Sequence, residues 1–244
     1  MGGSGEPIPG SGYVEAANAL YIASNFPATT YPGALAQGLF TPEAVWPGAA
    51  LDPSISQGVT ILNNNIQANL AADEASTVFG YSQSTAIASL EMEALDPSGT
   101  PSADNVNFVL IGDLMNPNGG IFARFPGVEW PSLGITFYGA TPADDFPTDI
   151  YTLQYDGFAD FPRYPIDFLS DLNAGMGILY LHGDYLSLTA SQIDSATLLP
   201  GSALDGATDS LTNYYMIDTT PRWCRCWGRS PSSANRSKPC WGPT

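Results

Sequence analysis

The sequence predicts an α/β fold built on a mainly parallel central sheet flanked by helices. Two observations carry that expectation. Short runs rich in β-branched and aromatic residues alternate along the chain with longer stretches of helical period. A small serine-centred turn, Gly80-Tyr81-Ser82-Gln83-Ser84, joins one such run directly to one such stretch.

The elements follow in order. Residues 1–12 are rich in Gly and Pro and read as loop. Tyr13 to Ala23 reads as a helix, with Val14, Ala17, Leu20 and Tyr21 on one face. Pro27, Pro32, Pro42, Pro47 and Pro53 break residues 24–56 into a long irregular excursion. A second helix is expected at 57–72, where Val59, Leu62, Ile66 and Leu70 share a face. Ser76 to Tyr81 is a short apolar run of buried-strand composition, and 83–95 then reads as a helix free of Gly and Pro. Asn105 to Ile111 is a second buried strand, ending in Gly112-Asp113. Ile135 to Tyr138 and Tyr151 to Tyr155 read as two more strands. A helix at about 166–180 leads into Leu181-His182-Gly183-Asp184-Tyr185. A short helix near 189–197 and a strand at 213–218 complete the body.

With 244 residues and 44% hydrophobic content, the chain can supply one large domain or two small ones. The net charge of −17 is distributed unevenly. Up to Pro221 only Arg124 and Arg163 are basic, against all 24 acidic residues. From Arg222 onward there are five basic residues, no acidic one, and all three cysteines, Cys224, Cys226 and Cys240. Residues 1–221 therefore read as the domain and 222–244 as a tail of different origin. Cys224-Arg225-Cys226 offers too few ligands for a four-coordinate zinc site, so no metal or cofactor is expected. The acidic body excludes a phosphate-binding face for nucleic acid and gives little attraction to anionic lipid head groups. No apolar window is long enough for stable membrane insertion, and Met1 to Pro7 lacks the character of a signal peptide.

The chemistry centres on Ser82. A serine hydroxyl is a weak nucleophile that must be presented to a base. A tight strand-to-helix turn does this when the residues two before and two after are small, here Gly80 and Ser84. The helix that follows offers free N–H groups, including that of Gln83, to a developing oxyanion. His182 is the only histidine in the chain, so it is the only imidazole available as base. Asp160, Asp156 and Asp113 are all candidates for the acid that orients it, with Asp160 placed first.

Three long blocks sharpen this reading: VFGYSQSTAIASLEMEAL, NVNFVLIGDLMNPNGGIFARF and the stretch from SLGITFYGA to DFLSDLNA. In that order they resemble the PE-PPE domain of mycobacterial PE and PPE proteins, from about residue 2 to Ile217. The resemblance implies a cutinase-like serine α/β-hydrolase, active as an esterase or acyltransferase on acyl esters and lipids, in the cell envelope or secreted. It carries the nucleophile onto Ser82, the base onto His182, and the acid onto Asp160, with Asp156 second. It also places Ser4 and Gly5 of the opening GGSGEPIPGSGYV at the second half of the oxyanion hole. Against the family pattern, the first apolar strand and the upstream helical module are expected to be missing. The tail matches nothing in the family, and a frameshift near residue 219 is the expectation. A non-catalytic surface module or inactive remnant is the rival function.

Overall fold

The computed structural model describes residues 1–23, 35–44, 49–95, 105–164 and 166–220. The tail at 222–244, with its three cysteines, lies outside the described residues, as does part of the Pro-rich excursion. In chain order the strands are β1 (Ser76–Tyr81), β2 (Val106–Ile111), β3 (Glu129–Trp130), β4 (Ile135–Thr136), β5 (Thr148–Leu153), β6 (Thr197–Leu198) and β7 (Thr212–Ile217). The helices are α1 (Ser11–Ala17), α2 (Leu51–Ala71), α3 (Gln83–Leu95), α4 (Ile121–Arg124), α5 (Phe168–Tyr180) and α6 (Ala190–Asp194).

Five strands form one sheet in the order β1-β2-β5-β7-β6. The β1–β2, β2–β5 and β5–β7 pairs are parallel, and only β6 runs antiparallel, against β7. Every residue of β2 and β5 is buried, as expected for central strands covered on both faces. On one face Ile55, Leu62 and Ile66 of α2 and Ile87 and Met92 of α3 pack against Phe108, Leu110 and Ile150. On the other, Tyr21, Tyr185 and Ile193 cover Phe79, Val109, Ile111, Tyr151 and Leu153. This is an α/β fold with a mostly parallel central sheet flanked by helices, as the sequence predicts. Among the described residues β1 is an edge of the sheet, where the Met1 amine donates to the Phe79 carbonyl at 2.8 Å.

Some elements differ from expectation for local reasons. The second helix starts at Leu51 rather than 57, because Pro53 falls in its first turn, where a missing N–H costs nothing. The helix expected over 13–23 begins at Ser11 and passes into a wider π turn at Asn18–Ile22. Ile135–Thr136 does not join the central sheet. It pairs antiparallel with Glu129–Trp130 in a separate hairpin, closed at Gly134 with φ +59°. Asp52 ties that hairpin to α2 by accepting from the Thr136 amide and hydroxyl, each at 2.9 Å.

Burial also sets a pH dependence. It pushes Asp113 up to about 6, and Glu43 and Glu91 up to about 7. Between about pH 4 and 7 these three carboxyls therefore hold protons that an unfolded chain has released, opposed above pH 6 by the Met1 amine, which burial pushes down to about 6. Stability falls as pH rises through this window, by up to about 3 kcal/mol for Asp113 alone. Thermal melts at pH 5 and pH 8 are expected to give the higher midpoint at pH 5. Asp113→Asn should remove part of that difference, and a higher midpoint at pH 8 would contradict it.

Candidate active site

Ser82 is the one residue between the end of β1 and the start of α3. Its φ is +56°, a left-handed conformation uncommon for a residue with a side chain and characteristic of a strained presenting turn. The need for small neighbours is visible at Gly80, where a Cβ would come within 3.0 Å of the Ser84 carbonyl oxygen and 3.1 Å of Leu110. Ser84 contributes more than small size. Its hydroxyl accepts from the Tyr81 amide at 2.8 Å and donates to the Tyr81 carbonyl at 3.1 Å, closing the turn from within.

His182 follows directly on the C-terminal end of α5, where its amide donates to the Gly177 carbonyl at 3.0 Å. Its Nε2 lies 2.7 Å from Ser82 Oγ and its Nδ1 lies 2.8 Å from Asp156 Oδ2. An ionised carboxylate can only accept, so Nδ1 carries the proton, Nε2 is the acceptor, and the Ser82 hydroxyl donates to it. The ring is walled by aromatics. Tyr81 stacks on it with centroids 5.4 Å apart, and Phe158 meets it edge-on at 4.7 Å. Behind it lies Gly112, with φ +59°, where a Cβ would come 2.9 Å from His182 Cε1.

The carboxylate beside the imidazole is Asp156, not the first-placed Asp160. Asp156 is fully buried and also accepts from the Phe158 amide at 3.0 Å and the Tyr185 hydroxyl at 2.7 Å. Asp160 lies one turn further along, its amide bonded to the Asp156 carbonyl. Its carboxylate turns back to accept from the Tyr155 amide at 2.8 Å, so it braces the loop that carries Asp156. Burial raises the Asp160 carboxyl above its ordinary range. The third candidate, Asp113, is buried beneath the turn, accepting from the Met115 amide and the Thr141 hydroxyl.

Of the expected oxyanion residues, the structure brings Ser4 and Gln83 together and leaves Gly5 aside. Ser4 Oγ donates to Gln83 Oε1 at 2.8 Å, and Gln83 Nε2 donates to Ser54 Oγ at 2.6 Å, which fastens the opening loop onto the serine turn. The Gly5 amide is already committed to the Glu43 carbonyl at 2.8 Å. Gly3 of the same loop lies against the nucleophile, since a Cβ there would come 3.4 Å from Ser82 Cβ. The Gln83 amide is the first of α3, a position whose N–H has no intrahelical acceptor.

Beyond the sequence candidates, the site includes Tyr81, Gly112, Phe158 and Tyr185. Tyr81 and Tyr185 carried a positional signal, beside Ser82 in the turn and in the loop with His182. The helix leading into that loop also shows an unusual outer face: Phe168, Leu172, Leu179 and Tyr180 of α5 are exposed. Among the described residues no helix is long and apolar enough to cross a membrane.

Comparison with known proteins identifies the family of the chain. A PE-PPE domain matches residues 32–221. PPE family protein PPE28 of Mycobacterium tuberculosis is 49% identical over 225 residues, covering 90% of this chain and 33% of the relative. Esterase PE16 of the same organism is 43% identical over 211 residues, covering 85% of this chain and 40% of the relative. SL1278 acyltransferase Chp1, also of M. tuberculosis, is 29% identical over 187 residues, covering 73% of this chain and 44% of the relative. The chain spans less than half the length of these relatives. A match across most of the sequence, with relatives above 40% identity, shows that the chain belongs to the PE-PPE domain family; its relatives include a named esterase and a named acyltransferase.

Proposed function

We propose that this chain carries a serine esterase site acting on acyl esters, lipid esters among them. The observation that supports it is the continuous hydrogen-bond path from Ser82 Oγ through His182 to Asp156, at 2.7 and 2.8 Å. Ser82 Oγ attacks the acyl carbonyl carbon, and its proton passes to His182 Nε2. The carbonyl electron pair moves onto oxygen, where the Gln83 amide and the loop at Gly3 and Ser4 receive the negative charge. Asp156 stabilises the imidazolium and holds the ring in its reactive tautomer. Collapse of the intermediate breaks the ester bond, and the leaving alcohol takes the proton from Nε2. Water, activated by the same imidazole, then releases the acid and restores Ser82. The exposed apolar face of α5, which runs into His182, favours an acyl or lipid substrate over a charged one.

A second reading has the same acyl-enzyme resolved by an alcohol instead of water, giving acyl transfer onto a cell-envelope glycolipid. It is favoured by the likeness to a protein named an acyltransferase. For both readings we assign the work to the cell envelope or the outside of the cell, the location the family resemblance implies.

Fluorophosphonate labelling tests the shared first step, because only an activated serine reacts readily. The expected result is one label per chain, mapped to the peptide containing Ser82. A folded chain that takes no label would overturn the proposal and favour a non-catalytic module. A chromogenic short-chain ester, assayed with and without added alcohol, then separates hydrolysis from transfer by the product formed.

A further inference from the structure

The Asp156 carboxylate has a partner that the hydrolysis scheme does not use. Tyr185 Oη donates to Asp156 Oδ2 at 2.7 Å, the same oxygen that faces His182 Nδ1 at 2.8 Å. The same phenolic oxygen accepts from the Leu153 amide at 3.0 Å. Leu153 ends β5 and Asp156 lies in the turn after it, while Tyr185 and His182 share the loop after α5. One hydroxyl therefore bridges the segment bearing the acid and the segment bearing the base. Tyr185 and Asp156 are both fully buried, so water does not compete for either group. Tyr185 is fixed in turn by Tyr21, whose hydroxyl donates to the Tyr185 carbonyl at 2.8 Å. Burial, with the negative charge of Asp156, raises the Tyr185 phenol well above its ordinary range, so the hydroxyl remains a donor.

We propose that Tyr185 is a positioning residue of this site, whose hydroxyl aims the Asp156 carboxylate at His182 and limits how strongly that carboxylate draws on the imidazole proton. A carboxylate that accepts a second strong hydrogen bond has its charge spread over more donors and is a weaker base toward each. Without the phenol, Asp156 would hold the Nδ1 proton more tightly and stabilise the imidazolium more. It would also lose the contact that fixes its rotamer. The other groups facing His182 are Ser82 at Nε2, the Tyr81 and Phe158 rings, and the Tyr81 hydroxyl on the His182 carbonyl. The charges of Asp184 and Glu6 act on Tyr81. None of these touches Asp156 Oδ2 in the way Tyr185 does.

The proposal rests on the triad reading for its kinetic consequence, but its test does not require activity. His182 is the only histidine, so its imidazole Cε1–H signal can be followed by NMR against pH without ambiguity. In Tyr185→Phe the imidazole midpoint is expected to move up by about half a unit or more. The acid limb of the pH–rate profile should move with it, and kcat should fall about tenfold at unchanged KM. Because Leu153 also loses an acceptor, a second variant guards against poor folding. Replacing tyrosine 185 alone with 3-fluorotyrosine keeps the bridge, makes the phenol a stronger donor, and should move the midpoint down. An imidazole midpoint that stays put in both would overturn the proposal. If the midpoint moves as expected while Ser82→Ala and the parent chain hydrolyse ester equally, the positioning role stands and the triad reading fails.

Discussion

Ser82→Ala is expected to lower turnover of an activated ester by ~10⁶-fold, the scale of loss when a triad serine is removed. The loss should come without a comparable loss of fold. Ser82 Oγ has His182 Nε2 as its hydrogen-bond partner, and alanine keeps the Cβ at the same strained φ. The turn is held by neighbours instead: Ser84 bonds the Tyr81 amide and carbonyl, and the Ser82 amide donates to the Ile111 carbonyl. The thermal midpoint should therefore stay near that of the parent chain. A chromogenic assay and a melt on the same sample check both parts. Equal turnover by the two proteins would remove Ser82 from the chemistry.

The second large effect separates the two neighbouring aspartates. Asp156→Asn is expected to reduce kcat by ~10⁴-fold at neutral pH. An amide at that position can present N–H to His182 Nδ1, which forces the proton onto Nε2 and leaves no acceptor for the Ser82 hydroxyl. Asp160→Asn should cost far less. Its carboxylate accepts from the Tyr155 amide, and an asparagine oxygen can accept that bond equally well. If Asp160→Asn proves the more damaging of the two, the acid belongs at Asp160 and the geometry around His182 must rearrange in use.

Much of this arrangement was legible in the residues. The β-branched run at 76–81, the Gly- and Pro-free helix at 83–95 and the small residues flanking Ser82 made the serine turn readable, because tight turns exclude large side chains on sterics alone. A single histidine made the base a matter of elimination. The acid was harder to read. Asp156 and Asp160 are four residues apart in one loop, and which of them faces the imidazole depends on a turn in which Tyr155 adopts φ +69°. Spacing does not encode that turn, and both carboxylates, Asp156 buried and Asp160 half-buried, are bonded within it. The oxyanion loop was half legible for a similar reason. Ser4 reaches the serine turn, but the Gly5 amide is claimed by Glu43, whose segment the sequence showed only as Pro-broken loop. The hairpin at β3 and β4 resembled a sheet strand because two residues of ladder carry almost no period.

The strand order has a consequence for how the protein comes into being. Ser82 follows β1, Asp156 follows β5 and His182 lies within the crossover between β5 and β7, so the three groups meet only through pairings between distant segments. Serine and imidazole are 100 residues apart in the chain, and β5 cannot align with β7 until the intervening loop has closed. Loop closure of this kind makes parallel sheets slow to assemble, since entropy is lost before the contacts repay it. A nascent or partly folded chain would hold the serine turn, which is local, well before it held a charged path to Asp156. On the proposed function, reactivity at Ser82 would double as a clock for the last steps of folding, silent until the sheet is closed.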